Sequence, residues 1–137
     1  IMANGTIAFD TLSTSGQISG TAKSVDTDYV VSGSAKAWSN HNMSGTTARV
    51  SLNIASYTDN AAGDHSLTLT NAFSSANYVW SYGGKRASGD GTNCFDAAVV
   101  RSVDPTSTVT RHSVKDHDST ADVDAEILCV TFMGDLA

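Results

Sequence analysis

The chain has 137 residues, a mass of 14.2 kDa, a formal net charge of -6 at pH 7 and a pI near 4.8. That length holds one ordinary domain and excludes a multi-domain enzyme. Its 8 Lys and Arg are dispersed, so there is no basic stripe for phosphates and nucleic acid is not an expected partner.

Leu, Ile, Val and Phe together number 27 residues, a thin supply for a core, so part of the stability is expected to come from neighbouring subunits. Of the 14 acids, 13 are Asp and only Glu126 is Glu, while Thr (16) and Val (12) are abundant. Asp favours turns and caps, and Thr and Val favour pleated strands, which predicts an all-β chain with many turns. No apolar run is long enough to span a membrane and no secretory signal is visible, so a soluble protein without membrane insertion is expected. Cys94 and Cys129 show no metal-binding spacing, and Cys129, in the apolar run Ile127–Val130, is expected to act as a small core hydrophobe.

In chain order, residues 1–28 are rich in Ser, Thr and Gly and read as an N-terminal arm or connector, with one short strand at Thr6–Phe9. Residues 29–137 form the expected domain, with regular alternation from Tyr29 onward. Ala35–His41 carries Trp38. Ala48, Val50, Leu52 and Ile54 alternate with polar residues, predicting one strand with a buried face. Asp59–Asp64 is read as a turn that makes a hairpin with a strand at His65–Thr70. Tyr78–Tyr82 is an aromatic-rich strand, and Gly83–Thr92 (GGKRASGDGT) reads as the longest loop. Strands at Asp96–Val103 and Thr108–Val114 flank the turn at Pro105, and Val123–Met133 closes the domain. Seven to eight short antiparallel strands at this spacing predict a β-sandwich, jelly-roll-like in one form.

Catalytic signatures are weak. There is no Gly-x-Ser-x-Gly elbow, the Asp residues fall at expected turns, and Glu126 alternates within the final strand, which disfavours a paired-carboxylate glycosidase. Asp116, Asp118, Asp122 and Asp124, with His112 and His117, are the densest set of metal-ligand types, but they match no calcium loop and read better as a polar hairpin tip. The Gly83–Thr92 loop lacks the pattern of a phosphate cradle. Its Tyr82, Lys85, Arg86 and Asp90 are either a sugar-stacking recognition surface or simply solvated.

Three motifs point to a family. Ser32–Trp38 with Asn40–Asn42, then Tyr57–Asp64, then Asn71–Tyr78 resemble, in this order, a domain that recurs in tail-fibre and other virion structural proteins of tailed bacteriophages. The resemblance spans about Val25 to Ala137; it departs where Asn40 and His41 stand in place of the family's usual second aromatic. It implies a β-rich, commonly trimeric appendage without cofactor or catalytic residue, located in the virion and assembled in the bacterial cytoplasm. The leading expectation is a homotrimeric fibre or spike domain that attaches to a host surface glycan or envelope component and meets other virion proteins through the arm. The alternatives are a capsid-attached head fibre or decoration protein and, more remotely, a polysaccharide depolymerase. Trp38, Trp80, Phe95 and the outer face of the final strand are the expected subunit contacts.

Overall fold

A computed structural model describes residues 16–19, 24–86, 95–99, 103–116 and 121–137. The expected strand at Thr6–Phe9, and Asp90, Cys94, His117 and Asp118, lie outside the described residues. Strands β1 (Gln17–Ser19) and β2 (Ser24–Asp26) pair as an antiparallel hairpin within the segment read as an arm. A short helix, α1 (Thr27–Gly33), follows where alternation was expected from Tyr29. Asp26 caps it, its carboxylate accepting a hydrogen bond from the Asp28 amide, and so satisfies a donor that an uncapped helix start leaves unpaired.

Eight strands then build a sandwich: β3 (Ala35–His41), β4 (Ala48–Leu52), β5 (Ile54–Ala61), β6 (Asp64–Leu69), β7 (Val79–Arg86), β8 (Phe95–Val99), β9 (Val109–Asp116) and β10 (Ala125–Met133). One four-stranded antiparallel sheet has the order β4-β3-β10-β7 and the other β5-β6-β9-β8. The expected all-β sandwich is therefore present. Alternation determines the inner faces: Ala37, Ser39 and His41 of β3 and Leu128, Val130 and Phe132 of β10 face Leu67 and Leu69 of β6 and Thr110, His112 and Val114 of β9. Phe73 and Tyr78 close one end of this core, their rings stacked at 4.5 Å, and Tyr78 Oη donates to the Thr106 carbonyl at 3.1 Å. Among the described residues no helix is long and apolar enough to cross a membrane.

Two boundaries differ from expectation. The run Ala48–Ile54 is two strands, in different sheets, because the chain turns at Asn53, whose φ is 57°. Asn tolerates this left-handed conformation, and here its side chain locks the corner, Oδ1 accepting from the Asn71 amide at 2.7 Å and Nδ2 donating to the Asn71 carbonyl at 3.1 Å. The face predicted to be buried is consequently outward: Val50 is 52% and Leu52 47% exposed. The expected turn at Asp59–Asp64 is shorter, since β5 continues to Ala61 and only Ala62 and Gly63 connect it to β6.

Gly63 is required at that turn. Its φ is 67°, and a Cβ there would lie against the Val114 carbonyl and 2.6 Å from the Val123 nitrogen. Its own amide donates to Asp124 Oδ1 at 2.7 Å, and its carbonyl accepts from the Val114 amide at 2.8 Å. Backbone lies on the side where the methyl would go, so no rotamer change relieves the clash. Gly63→Ala is predicted to destabilise the fold by more than about 2 kcal/mol in urea titrations, whereas Gly83→Ala, where nothing lies within 4 Å of the added Cβ, should cost much less.

Candidate functional site

The residues expected to form a recognition loop sit mainly on a strand. Gly83–Arg86 continue β7, paired with β10 through Gly83↔Cys129, Gly84↔Leu128, Lys85↔Ile127 and Arg86↔Ala125. Lys85 Nζ donates to Glu126 Oε2 at 2.9 Å, and this contact holds the Glu126 carboxyl below its usual pKa range. Tyr82 is 38% exposed and meets the edge of the His112 ring at 6.5 Å. Strand pairing overrode the turn signal of Gly83-Gly84 because neither glycine here needs a positive φ, and a small residue on a strand leaves room beside its partner.

The expected subunit contacts do not share a face. By register, Trp38 points out of the β4-β3-β10-β7 sheet beside Leu52 and Thr131, while Trp80 follows the parity of Phe132 toward the interior, edge-on to Tyr78 at 6.0 Å. Phe95 opposes Asp116 on β8. Cys129 is likewise not in the core: it is half-buried, its thiol free, in the outer row that also contains Val50, Asn40 and Gly83.

The two outer faces are opposite in chemistry. On the β5-β6-β9-β8 sheet the outward rows are Ser56 with Thr68 and Val109, and Thr58 with Ser66 and Arg111, polar but for Val109. Arg111 pairs with Asp64 through Nε to Oδ1 at 2.7 Å and a second, parallel contact. That is a solvent face. On the other sheet the outward rows carry Val50, Leu52, Trp38, Cys129, Met133 and Val79, the last 61% exposed, interspersed with Asn40, Thr131, Ser81 and the Lys85–Glu126 pair. The Asn40 side-chain oxygen in this face is out of solvent and has no hydrogen-bond partner among the described residues.

The interior holds an unexpected cluster. His41 from one sheet and His65 and His112 from the other are all fully buried, His65 and His112 being direct cross-strand neighbours. His41 stacks on His65 at 5.6 Å and packs against Tyr57 at 4.9 Å. The Ser39 hydroxyl bridges His41 Nδ1 and Tyr57 Oη at 2.9 Å each, and Thr110 Oγ1 contacts His112 Nε2 at 3.2 Å. His41 Nε2 and His112 Nδ1 lack hydrogen-bond partners among the described residues, while His65 lies by the Met43 backbone and has its Nε2 3.8 Å from Asp59 Oδ1. Burial, reinforced by repulsion from His65, lowers the His41 pKa to about 4; burial and the other two rings lower His112 to about 3. Burial also lowers His65, opposed by Asp59, Asp124 and Asp64 at its edge. Ser39 and His41 are sealed from any substrate, so their contact supports packing and not nucleophilic attack.

The acidic hairpin is tied up by protein contacts. Asp116 N donates to the Ala121 carbonyl at 2.8 Å, Lys115 pairs with Asp122 at 3.0 Å, and Asp124 accepts from Gly63. Among the described residues no group of three or more His, Cys, Asp or Glu is arranged to hold a metal ion. The alternating placement of His41, His65 and His112 with buried neighbours was a readable signal for the interior cluster, but each histidine lies far from the others in sequence.

The histidines predict acid lability. Their folded pKa values lie below the unfolded value of about 6.5, so protons bind the unfolded chain first as the pH falls. Stability is full above pH 6.5 and is lost on going down toward the folded values, by roughly 1.4 kcal/mol per pH unit for each of His41 and His112, with His65 acting in the same direction. Urea midpoints should therefore fall steeply between pH 6.5 and 4.5; a flat profile over that window would contradict the neutral interior.

Comparison with known proteins yields no relative: no family model, no curated protein and no solved structure matches the chain.

Proposed function

We propose that the chain is a non-enzymatic structural module of a bacteriophage virion, a fibre or spike domain that assembles as a homotrimer and attaches to the host surface. The observation that carries this reading is the contrast between the two outer faces. A sandwich that works alone presents polar residues on both sides, as the Ser, Thr and Arg rows of one sheet do here. The opposite face instead exposes Val50, Leu52 and Val79 around Trp38, with the Lys85–Glu126 ion pair at one end. Large apolar side chains exposed on one face favour a protein–protein contact there.

Fully burying one Val or Leu side chain contributes about 1.5–3 kcal/mol, so this face on each subunit supplies several kcal/mol toward assembly. The motif order Ser32–Trp38, Tyr57–Asp64 and Asn71–Tyr78 supports the virion assignment. Exposed Tyr29 and Val31 on α1 offer a second apolar element near the arm for contacts with other virion proteins. Three copies would also multiply weak contacts with a host surface through effective concentration.

Native mass spectrometry at micromolar concentration should find a species of three times the 14.2 kDa chain mass. Leu52→Lys combined with Val79→Asp should dissociate it while leaving the far-ultraviolet spectrum and monomer fold unchanged, since both side chains are already exposed in one subunit. A monomeric wild-type chain, or a trimer indifferent to the double substitution, would refute assembly through this face.

A further inference from the structure

At the end of the sandwich closed by Tyr78, a cleft of about 480 Å³ is lined by Ala76, Asn77, Tyr78, Trp80, Asp104 and Pro105. Its volume falls within the roughly 300–1,000 Å³ of small-molecule sites. A second depression of about 160 Å³ shares Asn77 and Tyr78 with it and adds Ser74, Ser75 and Asp135. Along this surface aromatic and polar groups are set side by side on a rigid base. Tyr78 is held by its stack on Phe73, by the edge of Phe132 at 5.8 Å and by its bond to Thr106; Trp80 stands edge-on to it and is only half-buried. Backbone pairing fixes the walls, Ser74 N donating to the Asp135 carbonyl at 2.8 Å and Phe73 bridging Leu136.

The polar groups beside these rings are free to bind. Neither the Asp104 carboxylate nor the Asn77 side-chain amide forms a hydrogen bond or ion pair with a described residue, and both residues are exposed. Among the described residues, the charged groups lining the two depressions are Asp104 and Asp135, with no cation. An aromatic ring beside a carboxylate and an amide matches a pyranose: the ring takes the apolar C–H face, and the carboxylate and amide take adjacent hydroxyls. Two carboxylates without a cation repel sialic acids, uronic acids and phosphorylated sugars.

We propose that this cleft is a saccharide-binding subsite for neutral or amino-sugar glycans, with Trp80 as the stacking surface and Asp104 and Asn77 as the hydroxyl-binding groups. The proposal rests on the host-attachment reading and deepens it. It moves recognition from Lys85 and Arg86 to the Tyr78 end of the sandwich, and it reverses the expected charge preference of the ligand.

The test is an NMR titration of the full chain with a panel of neutral and amino-sugar trisaccharides that includes maltotriose and chitotriose, with sialyllactose as the anionic control. At least one neutral or amino-sugar member should shift the Trp80 indole and Asn77 side-chain amide signals, and sialyllactose should shift neither. Asp104→Ala, on an exposed loop, should leave the melting temperature unchanged and weaken the observed binding by about tenfold, the loss expected for a charge-assisted hydrogen bond. A panel that leaves both signals unmoved, or that moves signals elsewhere, overturns the subsite. Pull-down on bacterial envelope fractions separates the two failures. Envelope binding that Asp104→Ala does not weaken sinks the cleft and leaves attachment standing, whereas a wild-type chain that binds no fraction sinks attachment itself.

Discussion

Three imidazole rings occupy the middle of the sandwich, and the two sheets can approach each other only while those rings are uncharged. His41 reaches inward from β3, and His65 and His112 from β6 and β9, so the cluster bridges the layers instead of lining one of them. Ser39, itself bonded to the Tyr57 hydroxyl, and Thr110 each meet one ring nitrogen, and Phe132 packs beside His112 at 6.0 Å. Among the described residues His41 Nε2 and His112 Nδ1 are desolvated without a hydrogen-bond partner, a cost that apolar side chains of similar size would avoid. Protonation would add the far larger cost of burying a charge beside two other rings.

This polar interior and the apolar exterior are two sides of one distribution. The chain has few large apolar residues, and it places Val50, Leu52, Val79 and Trp38 on an outer face while histidine, serine and threonine fill inner positions. A single subunit folded this way gives up core hydrophobicity and presents an uncovered surface. In the proposed reading, association of copies through that surface would restore the balance and would tie the thin core to assembly. The stacked Phe73–Tyr78 pair closes the end of the core beside the cleft.

The all-β class was legible from Asp-rich turns and Thr/Val-rich runs, and Ala35–His41, His65–Thr70 and the closing strand were close to their observed limits. What alternation could not say was which face looks inward. For Ala48–Leu52 the hydrophobic set points out, because that strand is at the sheet edge and its apolar residues extend the row of Trp38. The switch of sheet at Asn53 was hidden because a single left-handed residue leaves the apolar pattern intact across the break. Glycine misled at Gly83-Gly84, where it lies in a paired strand, while Gly63, inside a turn read as six residues long, was the position that needed it. The cleft was illegible for a different reason: Asn77 and Trp80 are sequence neighbours, but Asp104 and Pro105 come from a distant segment and join them only once the sandwich end is closed.

The charge state of the three rings tests this account most directly. Nitrogen chemical shifts of the His41, His65 and His112 side chains, followed from pH 7.5 down to the onset of unfolding, report protonation without reference to stability. The account predicts that all three remain neutral until the fold is lost, with His41 and His112 showing no titration near pH 6.5. Reversible protonation of either ring at about 6.5 in the intact fold would contradict it.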